Sequence, residues 1–283
     1  MRLKTILSKM TGNSYAQKCL ERNVRVSQYL MGIGSGIEVV SSGEKTMFGV
    51  LRQQFSPPYC IFDVGSNKGQ FLQLVLENIE RDLLSIHCFE PGHDAFKALA
   101  AFSGRVKEIN GSRLNNIGVS KEPGTAVLHF DQVGSVLASL TKRKLDHIGI
   151  EFEKTEQVEI TTIDQYCREN NVDHIHLLKI DVEGHEFDVI TGAKEMFESS
   201  SIDMVSFEFG GTNIDTRTFF RDFWYLLTKY KLRIFRITPS GYLSPIDAYT
   251  EFVEQFGATN FVAIANNRQS HSGGKRTAKS DAV

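Results

Sequence analysis

The chain has 283 residues, 41% of them hydrophobic, which is enough to bury one sizeable core. Its 34 acidic and 32 basic residues leave a formal charge of -2, so no basic excess advertises a polyanionic partner and nucleic acid is not expected.

The opening MRLKTILSKM is basic but has neither a continuous apolar stretch nor a cleavage pattern, so no signal peptide or membrane span is expected. Residues 14–31 carry Tyr15, Cys19, Val26 and Leu30 at loose helical spacing, and Gly32, Gly34 and Gly36 after them read as a flexible turn. A short helix over 44–56 is stopped by Pro57 and Pro58, which makes residues 1–58 a helical amino-terminal extension. The pattern then alternates: strand 59–64, helix 69–79, strand 85–89, helix 93–102 and a third strand around 106–110. Cys60 and Cys88 fall in the first two strands, and with Cys19 and Cys167 they form no CxxC pair or metal spacing. Reduced thiols and a cytoplasmic location follow as the expectation.

The run IFDVGSNKGQF describes a buried strand breaking into a glycine turn where a ligand can meet bare backbone. The second strand ends on Glu90, 21 residues past Gly69. In an open α/β sheet ligands sit beyond the carboxyl ends of the strands, so Gly65, Gly69 and Glu90 should meet at one crevice. A carboxylate there suits the two hydroxyls of a ribose. The loop is GSNKG rather than GxGxxG, and no GxxxxGK[ST] is present, so a nucleoside without phosphates fits better than a dinucleotide. S-adenosylmethionine (SAM) is such a ligand. The plainer alternative is that the two glycines close a turn and Glu90 is a solvated strand end.

Further on, TAVLHF at 125–130 and VEITTI at 158–163 read as added strands or a hairpin, and the polar QVGSVLASLTKRK between them as a mobile loop on the acceptor side. IHLLKIDVEG at 175–184 is a buried strand ending in acids, with Phe187, Ile190, Ala193 and Phe197 as a helix stripe after it. MVSFEFGG, LRIFRIT and NFVAIA complete a sheet, the stripe Phe219, Phe220, Phe223, Trp224, Leu227 and Tyr230 marks a core helix, and Pro239, Gly241 and Pro245 suggest a long loop. Beyond Ala265 the chain has almost nothing to bury and residues 266–283 should be a disordered tail, leaving 59–265 as the main domain.

Asp181, Glu183, His185 and Glu208 end adjacent strands at the rim of the SAM crevice and are the candidates to deprotonate an acceptor. His185 is preferred because an imidazole is neutral and proton-accepting near neutrality. The alternative is that Glu183 and His185 merely cap the following helix. The three carboxylates could instead hold Mg²⁺ or Ca²⁺, but spacing leaves this open and no metal is predicted. His174 and His176 lack neighbouring cysteines and read as ordinary strand-start residues rather than zinc ligands.

In FDVGSNKGQF, CFEP, NNIGVS, TAVLHF, VEITTIDQY, LLKIDVEGHEFDVITGA and FEFGG the chain resembles the FkbM-type SAM-dependent methyltransferases, over roughly residues 60 to 211 and in that family's order. The resemblance implies an α/β class I methyltransferase (Rossmann-like) fold. Its sheet would be seven-stranded and parallel except for one strand, with helices on both faces and an added β-hairpin between the third and fourth strands. By motif, Asp63, Gly65, Ser66, Asn67 and Gly69 would surround the methionine part of SAM and Glu90 would hold the ribose. Asn116 would stand on the adenine side, although Ile117 and Gly118 replace the alanines of the usual segment. The implied activity is methyl transfer to a hydroxyl of a carbohydrate, glycolipid intermediate or other hydroxylated metabolite. The rim lacks the [DN]PPY arrangement of enzymes that methylate amines, which favours oxygen. A non-catalytic SAM-fold scaffold is the alternative, and an NAD-linked oxidoreductase is disfavoured by GSNKG.

Overall fold

The computed structural model describes residue 4, residues 8–36 and residues 42–266. The tail expectation, beyond residue 266, lies outside the described residues. Eleven strands are described: β1 Tyr59–Val64, β2 Leu84–Phe89, β3 Arg113–Asn115, β4 Gly118–Val119, β5 Gly124–Phe130, β6 Lys154–Thr161, β7 Leu177–Ile180, β8 Met204–Phe209, β9 Leu232–Ile237, β10 Leu243–Ile246 and β11 Thr259–Ala265.

The main sheet runs β10-β9-β11-β8-β7-β1-β2-β3. Strands β3, β2, β1, β7 and β8 pair in parallel, and β11 inserts antiparallel between β8 and β9. This is the class I methyltransferase order, and the chain reverses its direction of travel between β1 and β7, where a crevice opens beyond the strand ends. An eighth strand, β10, lies at the edge antiparallel to β9, within the span that sequence patterning reads as a long loop. Its Pro245 withholds a donor, which an edge strand tolerates and a central one does not. The expected hairpin is β5 paired antiparallel with β6, and β4 joins β6 in parallel to make a separate three-stranded sheet.

Side-chain alternation sends the main strands into two cores. Phe62, Val64, Leu178, Ile180 and Phe207 meet Phe220 and Phe223 of the helix Phe220–Lys229. Ile61, Ile86, Leu177 and Met204 meet Leu72 and Val75 of the helix Gln70–Asn78. That second core also takes Met47, Phe48 and Leu51, all fully buried, from the helix Thr46–Gln54. At about 1.5–3 kcal/mol for each such side chain, the segment is part of the core's stability.

Three local expectations change. The third strand falls at Arg113–Asn115, because Val106 and Ile109, three apart, both enter the core from a short helix and its turn. The helix after KIDVEG breaks into Glu186–Thr191 and Lys194–Glu198, and a Cβ on Gly192 at the break would lie 2.2 Å from the Ser120 carbonyl oxygen. The amino-terminal glycines form a packed turn: a Cβ on Gly32 would lie 2.3 Å from the Ile237 carbonyl oxygen, and the Gly36 amide donates to Ala258. Among the described residues no helix is long and apolar enough to cross a membrane.

Candidate functional site

Beyond β1 the chain must pass close under β7. Gly65 sits at φ +84°, and a Cβ there would be 1.8 Å from the Asp181 carbonyl oxygen, so only glycine fits. The Gly65 and Ser66 amides both donate to the Phe89 carbonyl at the end of β2. Gly69, at φ +90°, starts the helix Gln70–Asn78 against the Phe102 ring.

Glu90 is 7% exposed, and its carboxylate accepts the Asn67 amide at 2.9 Å on one oxygen and the Gly92 amide at 2.7 Å on the other. Asn116 donates its side-chain amide to the Glu90 and Pro91 carbonyls, at 2.9 Å each, and so braces the turn. Burial pushes the Glu90 carboxyl up to about 7, with the two backbone donors pulling against it. A small space of about 50 Å³ beside Glu90 is bordered by Gly65, Ile117, Gly118, Leu140, Val182 and His185.

The large cavity, about 820 Å³, opens over the ends of β1, β7 and β8. Gly65, Ser66 and Asn67 line it from the first turn, Asp181 and Glu183 from the second, and Glu208 from the third. Asp63 lies beneath, fully buried, with neither carboxylate oxygen hydrogen-bonded. Its neighbour is the Lys179 ammonium, 3.9 Å away, which also bonds Asp181 at 3.0 Å. For Lys179 burial is outweighed by Asp181, Asp63 and Glu44, so it stays charged. Glu44 is buried in the same group of charges.

His185 lies at the Gly65 and Glu90 side of the crevice, away from the large cavity. Its Nδ1 faces Asp188 at 2.9 Å and its Nε2 faces the Thr141 hydroxyl at 3.0 Å, and it borders the small space rather than the large cavity. With both ring nitrogens engaged, it has no free lone pair turned toward the rim acids. The segment expected to be a mobile loop is fastened here: Ser139 donates to the Glu183 carbonyl at 2.8 Å, and Arg143 reaches Glu183 at 2.7 Å and Asp215 at 3.6 Å. Val136, Leu137 and Arg143 line the large cavity, as do Gly36 from the amino-terminal turn and Phe256 and Ala258 before β11.

Sequence reasoning passed over Lys179, Arg143 and Glu44. Lys179 had a signal, because a lysine inside a strand buried on both faces must have anionic partners. Arg143 had none. Among the described residues one group of metal-type ligand atoms comes within 4.8 Å: His174, His176 and Asp203, at the opposite end of β7 from the cavity. His176 Nδ1 accepts the Cys60 amide at 3.0 Å, which makes Nε2 the protonated nitrogen and leaves the neutral ring no lone pair for a metal. Asp181, Glu183 and Glu208 are not drawn together that tightly.

The electrostatics are lopsided. Among the described residues, Asp63, Asp181, Glu183, Glu208 and Glu44 face Lys179 and Arg143 as their nearby cations. Burial first and Asp181 next push Glu183 up to about 8, against Arg143, and burial with Asp181, Glu183 and Glu186 pushes Glu208 well above the ordinary range. The folded chain thus holds protons on Glu90 and Glu183 more tightly than the unfolded chain does. Their stabilisation is complete below pH 4.5 and is lost as pH rises through about 7 and about 8. The ligand-free protein should therefore unfold with on the order of 2–3 kcal/mol less free energy at pH 8.5 than at pH 6.5. The window stays above 6.5 because His87, pushed down to about 4 by burial and Arg113, costs stability below it. Urea midpoints at the two pH values measure the difference, and equal midpoints would contradict the protonated-acid picture.

A family model for the methyltransferase FkbM domain matches residues 63–234. The chain is 26% identical over 190 residues to 2-O-methyltransferase NoeI of Sinorhizobium fredii (strain NBRC 101917 / NGR234), covering 61% of this chain and 72% of that protein. It is 26% identical over 165 residues to 31-O-demethyl-FK506 methyltransferase FkbM of Streptomyces tacrolimicus, covering 50% of this chain and 62% of that one. The crystal structure of methyltransferase FkbM from Methylobacillus flagellatus KT superposes with a TM-score of 0.42 at 12% identity, over 86% of this chain and 59% of that one. The chain thus spans less than two thirds of the second relative and of the solved structure.

Proposed function

The chain belongs to the methyltransferase FkbM domain family, and from that membership we propose a SAM-dependent O-methyltransferase acting on a hydroxyl of a carbohydrate, glycolipid intermediate or similar metabolite in the cytoplasm. The observation that carries the cofactor assignment is the surplus of acidic over basic side chains around a cavity edged by bare glycine backbone, with Lys179 bonded to Asp181 and Arg143 to Glu183. SAM, which supplies an electrophilic methyl group on a sulfonium, brings the positive charge that surplus lacks.

The residues fit it. Each Glu90 oxygen spends one acceptor position on a backbone amide, and a carboxylate has about four, so two remain for a ribose diol. The Gly65, Ser66 and Asn67 backbone and Asp181 lie where a methionine moiety would need an open turn and a partner for its ammonium. The space beside Glu90 is too small for a nucleoside, so the segment carrying Leu140 must yield when one binds.

The remaining task is to hold an acceptor oxygen in line with the methyl carbon and take its proton. Glu208 replaces His185 as the proposed base, because it lines the large cavity, and burial with its acidic neighbours raises its carboxyl well above the ordinary range, which makes its carboxylate a stronger proton acceptor. With SAM bound, the acceptor oxygen would take the methyl group as the sulfur–methyl bond breaks and S-adenosylhomocysteine leaves, and the hydroxyl proton would pass to Glu208. Asp181 lines the cavity beside the buried Lys179, and the apolar Val136, Leu137 and Phe256 exclude water.

A thermal-shift titration tests this. SAM and S-adenosylhomocysteine should each raise the melting temperature in proportion to the logarithm of ligand over Kd, and NADH should neither do so nor compete. Labelled methyl groups should then appear on a member of a panel of sugars and glycolipid intermediates. Stabilisation without transfer to any acceptor would favour a binding scaffold, and no stabilisation would remove the assignment.

A further inference from the structure

The helix Ser14–Leu30 buries none of its 17 residues and exposes Tyr15, Leu20, Val24, Val26, Tyr29 and Leu30. At ~100° per residue, Tyr15, Cys19, Val26 and Leu30 fall within about 60° of one another. All four are exposed, Tyr15 at 79% and Leu30 at 68%. Lys18, Arg22 and Arg25 flank one side of that stripe, are exposed, and make no ion pair among the described residues. The helix meets the body of the protein on its other side: Gln28, roughly opposite the stripe, bonds Gln255 at 2.9 Å. The side carrying Tyr15, Cys19, Val26 and Leu30 lies away from that contact with cations along its edge, while Leu20 and Val24, off this side, are exposed as well.

We infer that this helix seats the protein on an anionic phospholipid surface, with Tyr15, Val26 and Leu30 in the headgroup region and Lys18, Arg22 and Arg25 against lipid phosphates. A polar-faced amphipathic helix with basic residues beside its apolar stripe lies in the plane of such an interface. Charge argues for lipid over a second copy of the chain. Three cations stand against one acid, Glu21, on this helix, so pairing it with itself would bring like charges together, whereas an anionic leaflet attracts them. The helix is also tied to the mouth of the large cavity. Gly36 lines that cavity six residues after Leu30, and Phe256, next to Gln255, lines it as well. A lipid-linked acceptor would then be met at its own surface. The inference itself rests on the helix and not on the identity of the acceptor.

Sedimentation of the full chain with vesicles of phosphatidylglycerol and phosphatidylcholine, against phosphatidylcholine alone, tests it. Each Lys or Arg near an anionic surface is worth about fivefold in partitioning, so the mixed vesicles should bind on the order of a hundredfold more tightly, and 0.5 M salt should remove most of the gain. A Val26→Glu, Leu30→Glu variant should stay in the supernatant while its thermal shift with S-adenosylhomocysteine is unchanged. The proposal is overturned if the wild type fails to sediment with anionic vesicles or if the variant sediments equally well. It is overturned too if analytical ultracentrifugation shows a dimer that the variant dissociates, which would assign the stripe to a second copy.

Discussion

Glu90→Ala should lose most of the stabilisation that S-adenosylhomocysteine gives the wild type. At a ligand concentration of one hundred times Kd the wild type gains about 2.7 kcal/mol. Hydrogen bonds to a charged acceptor contribute roughly 1.5–3 kcal/mol each, and two ribose hydroxyls depend on this carboxylate, so Kd should rise about a hundredfold or more. At the same concentration the gain then falls to about 0.4 kcal/mol, near the limit of a melting curve. Glu90 also accepts the Asn67 and Gly92 amides, so the turn itself is weakened by the substitution. Two baselines separate the effects. The ligand-free melting temperature reports the turn, and the difference with and without ligand reports the diol. A variant with a lowered baseline and an undiminished shift would take Glu90 out of the cofactor site and leave it a structural acceptor.

The reason Glu90 could be found in the sequence while Arg143 could not lies in how each is placed. Glu90 follows directly from a strand whose end is fixed by β1 on one side and β3 on the other, so its position is a consequence of topology. Gly65, Asp181 and Glu208 follow in the same way from β1, β7 and β8, and the strand pattern was enough to bring them together. Arg143 comes from the stretch between β5 and β6, where no periodicity constrains the path, and its partners Glu183 and Asp215 are 40 and more residues away. Glu44 is hidden for a related reason. It precedes a short helix whose burial depends on the sheet it caps, so nothing local marks it as interior. The same limit applied to His185. Spacing placed it beside the acids of KIDVEG, and the turn at Glu183 and Gly184, both at positive φ, directs its ring to Thr141 and Asp188 on the Glu90 side of the crevice, which spacing does not show.

That orientation leads to the second substitution, Glu208→Gln. With an acceptor found by the labelled-methyl screen, turnover should fall by roughly 10²–10⁴-fold, the usual contribution of a positioned base. Glutamine keeps the shape and can still accept a hydrogen bond, but it cannot take up the proton. The S-adenosylhomocysteine shift should change little, because Glu208 is not in the turn that the nucleoside would occupy, and the loss should sit in kcat rather than in KM. The wild type should lose activity on the acid side as the carboxylate protonates, and the variant should lose that limb of its pH profile. His185→Ala is the contrast. Its ring borders the small space and is held between Thr141 and Asp188, so its removal should loosen the Leu140 segment and shift SAM affinity while leaving the acid limb in place. If instead His185→Ala removes the limb and Glu208→Gln retains it, the proton travels through the imidazole and Glu208 serves only the field of the cavity.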